Sequence, residues 1–109
     1  MLEKILGGTA AERVLLYLEN YEEGYAKGIA TTFEMPLNVI QKQLLKCEAA
    51  SVLVSQRKGK TRIFSWNPRY PFRKELRALL AKALLFLPDG EVKRFYRQRT
   101  RPRRAGKPG

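Results

Sequence analysis

Residues 36–66, PLNVIQKQLLKCEAASVLVSQRKGKTRIFSW, decide the fold because a helical pattern is followed directly by a hairpin pattern. Pro36 suits the first turn of a helix and disfavours the α conformation at Met35, so a helix begins there. Its apolar residues recur at intervals of three and four: Leu37, Ile40, Leu44 and Cys47. This spacing predicts a helix over 36–48. Most of the remaining positions are polar, which gives the helix a long polar surface.

The hairpin pattern consists of two apolar segments that flank a polar one. Residues 52–55 and 63–66 are rich in apolar and β-branched side chains, and residues 56–62 are polar around Gly59. We expect the turn at Lys58-Gly59, because glycine adopts the positive φ of tight hairpin turns. The tip of this hairpin carries four cationic side chains, Arg57, Lys58, Lys60 and Arg62.

Further helices are predicted on both sides of this segment. Thr9 and Glu12 have the spacing of a capping box, which predicts a helix over 9–20. A short helix over 25–33 contains Gly28, at a cost of about 1 kcal/mol relative to alanine. Leucines at helical spacing predict a long helix over 71–87.

Composition and charge indicate a single domain with a basic C-terminal part. The chain has 109 residues, 44% of them hydrophobic, and 22 Lys plus Arg against 10 Asp plus Glu. We expect one domain over 1–88. Residues 89–109 are expected to form a short helical turn, anchored by Phe95 and Tyr96, and then a basic, flexible tail. Eight basic and no acidic residues over 92–109 suggest a polyanionic partner. The tail candidates for this contact are Arg97, Arg99, Arg101, Arg103 and Arg104.

The residue types that are missing exclude most catalytic chemistry. With no histidine and one cysteine, the sequence has no disulfide framework, no Cys/His zinc site and no His-dependent triad. Glu22 and Glu23 are adjacent and cannot share one helix face as paired acids. We therefore expect no enzyme activity, no metal and no cofactor, and we expect Cys47 to be a small core residue. The absence of a signal-peptide pattern or an apolar run long enough to span a bilayer predicts a cytoplasmic protein without membrane contact.

Four segments carry a resemblance to a known family: GYAKGIA (24–30), PLNVIQKQL (36–44), VLVS (52–55) and GKTRIF (59–64). They resemble small prokaryotic winged helix-turn-helix transcriptional regulators of the ArsR/MarR-like type, over roughly residues 9–87. The resemblance implies an α+β fold, mainly α, with a three-helix core, a β-hairpin wing and a long C-terminal helix. It also implies that helix 36–48 enters the major groove and that the basic wing, 56–62, lies on the DNA backbone. The metal-sensing branch uses Cys and His ligands, which are too few here, so a non-metal-sensing regulator is expected.

Side-chain chemistry agrees with this implied division of roles. Asn and Gln present paired donors and acceptors to adenine, and Lys reaches guanine or phosphate. The candidates for reading bases are Pro36, Leu37, Asn38, Gln41 and Lys42. The candidates for phosphate contacts are Lys46, Arg57, Lys58, Lys60 and Arg62. The expected function is sequence-specific binding of double-stranded DNA in transcription regulation.

An apolar surplus on the long helix predicts a homodimer, because Leu85 points away from the main leucine stripe. The candidates for the dimer interface are Leu76, Leu80, Leu84, Leu85 and Leu87. Two alternatives fit the same elements. One is a winged-helix module that binds another protein, and the other is RNA binding through the wing and the tail.

Overall fold

The helices and strands follow the predicted order, with a short helix added at the start and a two-residue strand added between the first two predicted helices. The chain begins with α1 (Glu3–Leu6), α2 (Thr9–Tyr21), strand β1 (Glu23–Gly24), α3 (Ala26–Phe33) and α4 (Leu37–Ala49). Strands β2 (Leu53–Lys58) and β3 (Thr61–Trp66), α5 (Arg73–Leu85), α6 (Asp89–Glu91) and a π-helical turn (Val92–Tyr96) follow. This computed structural model describes residues 1–98. The α+β class, the three helices, the hairpin and the long helix are confirmed.

The start of α2 differs from the predicted capping box. Gly8 is the N-cap residue, Thr9 is already helical, and no side-chain hydrogen bond caps the helix. The Glu12 carboxylate instead accepts a hydrogen bond from the backbone N–H of Leu2 at 2.7 Å. The capping-box prediction is wrong because the segment that leads into α1 occupies the carboxylate that the box requires.

The sheet has three antiparallel strands in the order β1-β3-β2, one more than the predicted hairpin. Gly24 allows β1 to lie against α2, because a Cβ at this position would stand 2.7 Å from Cε1 of Tyr17. In the hairpin, Lys58 pairs with Thr61, so the loop consists of Gly59 and Lys60, one residue later than predicted. Gly59 has a φ of 64°, in the left-handed region that favours glycine.

The core lies where α2, α3, α4 and α5 pack against one another and against the sheet. Trp66 closes one side of it, and its indole N–H donates a hydrogen bond to the Leu18 carbonyl at 3.1 Å. Helix α5 covers another side and is shorter than predicted, since Phe72 is its N-cap and Phe86 its C-cap. The largest fully buried side chains are Val14, Leu16, Leu18, Ile29, Ile40, Leu44, Leu53 and Leu80.

The segment after α6 is docked onto the core. Phe95 and Tyr96 are buried, and the Phe95 ring lies 5.0 Å from the ring of Phe33. Their backbone carbonyls accept hydrogen bonds from α2, with the Tyr21 hydroxyl donating to Phe95 at 2.7 Å and the Asn20 amide donating to Tyr96 at 2.8 Å. The expected docking of these two aromatic residues is confirmed.

Candidate nucleic-acid interface

Helix α4 presents one continuous exposed face. Its N-cap is Pro36, and Ile40, Leu44 and Cys47 hold the opposite face in the core. The rest of the helix surface is open to solvent, because the three buried residues recur at helical spacing along one side only. All five predicted base-reading residues are exposed, and so is Lys46: Pro36, Leu37, Asn38, Gln41, Lys42 and Lys46. Two of the exposed residues on this face, Leu37 and Leu45, are apolar.

The hairpin of β2 and β3, called the wing from here on, carries its cations on an exposed tip. Arg57, Lys58, Lys60 and Arg62 are all exposed. The register places Arg57 directly opposite Arg62 on the neighbouring strand. Like charges at such a position repel each other, so the wing concentrates positive charge at an energetic cost.

An open cleft of about 530 Å³ lies between α4 and the wing, and residues at the start of α3 line it as well. The cleft brings Leu37 and Gln41 of α4 together with Arg57, Lys60 and Arg62 of the wing. Asn38 and Lys42 are exposed but do not line this cleft; at 100° per residue they lie further round the helix. The predicted readers therefore form two rows on one exposed face, and one of these rows faces the wing.

Arg62 differs from the other wing cations because its charge is already paired. Its Nη2 lies 2.6 Å from a carboxylate oxygen of Glu48 on α4. Its Nε donates a hydrogen bond to the Ser55 hydroxyl at 2.9 Å, and that hydroxyl donates to the other Glu48 oxygen at 2.6 Å. Its guanidinium also lies over the Phe64 ring, 5.2 Å from the centroid.

Two residues at the start of α3 belong to this surface and were not predicted. Tyr25 and Lys27 line the same cleft. The sequence feature that could have indicated a role for Tyr25 is Gly28, because a Cβ at position 28 would lie 2.9 Å from Cε1 of the Tyr25 ring. The glycine that weakens helix propensity thus makes room for a ring that stands half-exposed at the cleft.

The predicted dimer residues on and just after α5 divide into three groups: fully buried, partly buried and exposed. Leu80 is fully buried in the core of its own chain and cannot contact a partner, so this assignment is wrong. Leu76, Leu84 and Leu87 are partly buried against the same core. Leu85 is 83% exposed and its neighbour Phe86, which was not predicted, is 68% exposed. The two most exposed apolar side chains of this segment therefore lie at the C-terminal end of α5, while Phe72 at its N-cap and Leu79 within it are exposed as well.

The basic tail lies mostly outside the described residues. Arg97 is exposed, and Arg99, Arg101, Arg103 and Arg104 fall beyond residue 98. Gln98 lies beside α3, where its side chain is within hydrogen-bond distance of the Thr32 hydroxyl, at 3.2 Å. Gln98, the last described residue, thus lies next to the helix that precedes α4.

The only cysteine, Cys47, is buried, as expected for a core residue. Burial raises the pKa of its thiol, because the thiolate is poorly solvated there. Over residues 1–98, no group of three or more His, Cys, Asp or Glu side chains is placed to hold a metal ion. Within the same range, none of the helices combines the length and apolar character that a membrane span requires.

Comparisons with known proteins support the fold. No protein-family model matches the sequence, and no curated protein matches it. Among solved structures, the chain is similar to AntR, an antimony-specific transcriptional repressor, with 18% identity and a TM-score of 0.63 over 83% of this chain and 77% of AntR. It is also similar to ZitR of Lactococcus lactis, with 19% identity and a TM-score of 0.54 over 78% of this chain and 73% of ZitR. AntR is specific for antimony, so this similarity does not support the expectation of a regulator without metal sensing. That expectation stays a prediction. The chain has the winged-helix fold, and it shares this fold with a transcriptional repressor.

Proposed function

We propose that the chain is a sequence-specific regulator of transcription that binds double-stranded DNA as a homodimer and has no enzyme activity. One observation carries this proposal: the exposed polar face of α4 lies beside a cationic hairpin, with an open cleft between them. The winged-helix fold, which the chain shares with the AntR repressor, agrees with this function.

In this proposal, α4 enters the major groove and reads bases. The amides of Asn38 and Gln41 suit the donor and acceptor pair on an adenine edge, and Lys42 suits guanine acceptors. Leu37 adds an apolar contact of the kind that recognises a thymine methyl group. Pro36 stands at the groove-facing start of the helix, where its fixed φ holds the first turn.

Phosphate contacts come from the cations around the reading face. Lys46 on α4 and Arg57, Lys58 and Lys60 on the wing are exposed. We add Lys27, which lines the same cleft at the start of α3. Each phosphate that they neutralise changes the log–log salt slope of binding by about 0.9, irrespective of sequence. The basic tail, with Arg97 at its exposed beginning, extends this contact along the backbone.

Pairing of two chains through the end of α5 supplies the symmetry that a palindromic site requires. Leu85 and Phe86 are adjacent large apolar side chains in contact with solvent, and a contiguous apolar patch of this kind supports an interface. A two-fold dimer presents two α4 helices to half-sites about one helical turn, roughly 34 Å, apart on the duplex.

We also infer that DNA binding does not depend on a metal ligand. Thiolates and imidazoles are the usual ligands of soft metals, and the sequence supplies no histidine and a single buried cysteine with a raised pKa. Antimonite or Zn²⁺ added in roughly tenfold excess over the chain is expected to change duplex affinity less than about twofold, because a ligand that does not bind shifts no equilibrium. Cys47→Ala should behave in the same way. Metal-induced release from DNA that Cys47→Ala abolishes would contradict this inference.

Selection of bound duplexes from a random pool tests the proposed function directly. We expect enrichment of a palindromic sequence with half-sites one helical turn apart. Failure to retain any duplex at moderate salt would contradict the proposal and favour a protein-binding module. Preferential retention of single-stranded RNA in direct competition would contradict it in favour of RNA binding.

A further inference from the structure

Glu48 is an unexpected residue on a helix that is proposed to enter the groove of a polyanion. It lies two helical turns after Gln41, seven residues along, and therefore on the row of α4 that faces the wing. A carboxylate near DNA repels phosphate, so its presence needs a compensating role. Its partners indicate that role, because both carboxylate oxygens are engaged by wing residues.

The contacts form a closed three-membered ring between α4 and the wing. Glu48 pairs with the Arg62 guanidinium at 2.6 Å and accepts the Ser55 hydroxyl at 2.6 Å, while Arg62 donates to Ser55 at 2.9 Å. Ser55 is on β2 and Arg62 on β3, so one carboxylate holds both strands of the wing. The buried Phe64 ring under the guanidinium fixes its position further.

The ring also relieves the repulsion that the wing register creates. Arg57 and Arg62 are directly opposed across β2 and β3. The Glu48 carboxylate neutralises Arg62 and so reduces this repulsion, and both arginines line the cleft. An arginine that is paired with a carboxylate gains little from a phosphate, since a new contact would bring the carboxylate close to DNA as well.

We propose that Glu48, Ser55 and Arg62 form a clamp that fixes the wing against α4 and withholds the charge of Arg62 from DNA. Arg62 is then a positioning residue that holds the wing. It does not contact phosphate, which differs from the role predicted from the sequence. Glu48 improves specificity, because it lowers the sequence-independent part of the affinity and keeps the wing at one angle to the reading helix. This proposal rests on the proposed DNA-binding function.

The salt dependence of binding to a mixed-sequence duplex of roughly 30 base pairs separates a clamp from a phosphate contact. With the full chain, Arg62→Gln leaves the Glu48 carboxylate unpaired beside the duplex and should weaken binding, so the double variant is the one that shows whether Arg62 contacts phosphate. Glu48→Gln should release Arg62, bind this duplex several-fold more tightly and steepen the slope by about one. The double variant should return to the wild-type slope. Glu75→Gln, which removes a carboxylate from α5, is the matched control and should change neither quantity.

Two results would overturn the clamp in this experiment. The first is a double variant whose slope is flatter than that of the wild type by about one, which would make Arg62 a direct phosphate contact. The second is a wild-type slope for Glu48→Gln.

Hydrogen exchange of the wing amides tests the clamp without DNA. Glu48→Gln and Arg62→Gln should each increase exchange at residues 61–63 several-fold, and the double variant should add nothing further, because both changes remove the same ring. Unchanged exchange in both single variants would overturn the clamp even if DNA binds. Loss of the proposed function has a different signature, since the wild type itself would then bind no duplex while its exchange pattern stayed intact.

Discussion

At the scale of single residues, Tyr96 illustrates how a buried phenol links stability to pH. The ring is buried, and desolvation raises the pKa of its hydroxyl far above the ordinary value of 10.0. The folded state therefore keeps its proton at a pH where the unfolded state has lost it. The associated stability is fully present below about pH 10 and is lost as the pH rises further.

We expect Tyr96→Phe to weaken this alkaline loss. The variant keeps the buried aromatic ring and removes only the titrating hydroxyl. The free energy of unfolding should therefore fall less steeply above pH 10, with a slope that is smaller by up to about 1.4 kcal/mol per pH unit. Urea unfolding between pH 8 and pH 11, roughly the range over which tyrosine titrates, measures this difference. An unchanged slope in the variant would show that Tyr96 does not titrate differently in the two states.

At the scale of helices and strands, the wing is proposed to supply affinity without sequence preference. Lys58 and Lys60 are exposed at its tip. We expect replacement of both by Gln to reduce the log–log salt slope by about two, because two phosphates are then no longer neutralised. The preference for a selected duplex over a random one should stay the same. Lys74→Gln with Lys82→Gln, on exposed positions of α5, is the control, and an equal reduction in that control would contradict a specific role of the wing.

The elements that could be predicted from the sequence are those with their own periodicity. Helix α4 and the turn of the hairpin were correct to within one residue, because the spacing of apolar residues and Gly59 are local signals. The strands extend further into the polar segment than predicted, with β2 continuing to Lys58. The strand β1 has two residues and no periodicity, and it exists because Gly24 fits beside Tyr17. The pairing of Arg62 with Glu48 was not predictable either, since fourteen residues separate two side chains that only the fold brings together.

At the scale of the whole molecule, the exposed end of α5 is proposed to join two chains. We expect Leu85→Arg to convert a dimer to a monomer in sedimentation equilibrium at micromolar concentration, because a charge at the centre of an apolar contact costs several kcal/mol. Its free energy of unfolding as a monomer should change by less than about 0.5 kcal/mol, since the side chain is 83% exposed.

Leu45→Arg is the control for this variant, as it adds the same charge to an exposed apolar position on α4. The control should retain the dimer mass. A wild-type chain that already sediments as a monomer, or a Leu85→Arg variant that stays dimeric, would contradict pairing through this end of α5.

The exposed face of α4 is proposed to read the base sequence of duplex DNA. The most direct measurement compares the affinities of the wild type and the Asn38→Ala, Gln41→Ala, Lys42→Ala triple variant for the selected duplex and for a random one. We predict that the preference for the selected duplex collapses, by about 1–3 kcal/mol for each base that is no longer recognised, while weak salt-sensitive binding persists. Lys74→Ala is the control and should keep the full preference. A triple variant that discriminates as well as the wild type would show that α4 does not read the sequence.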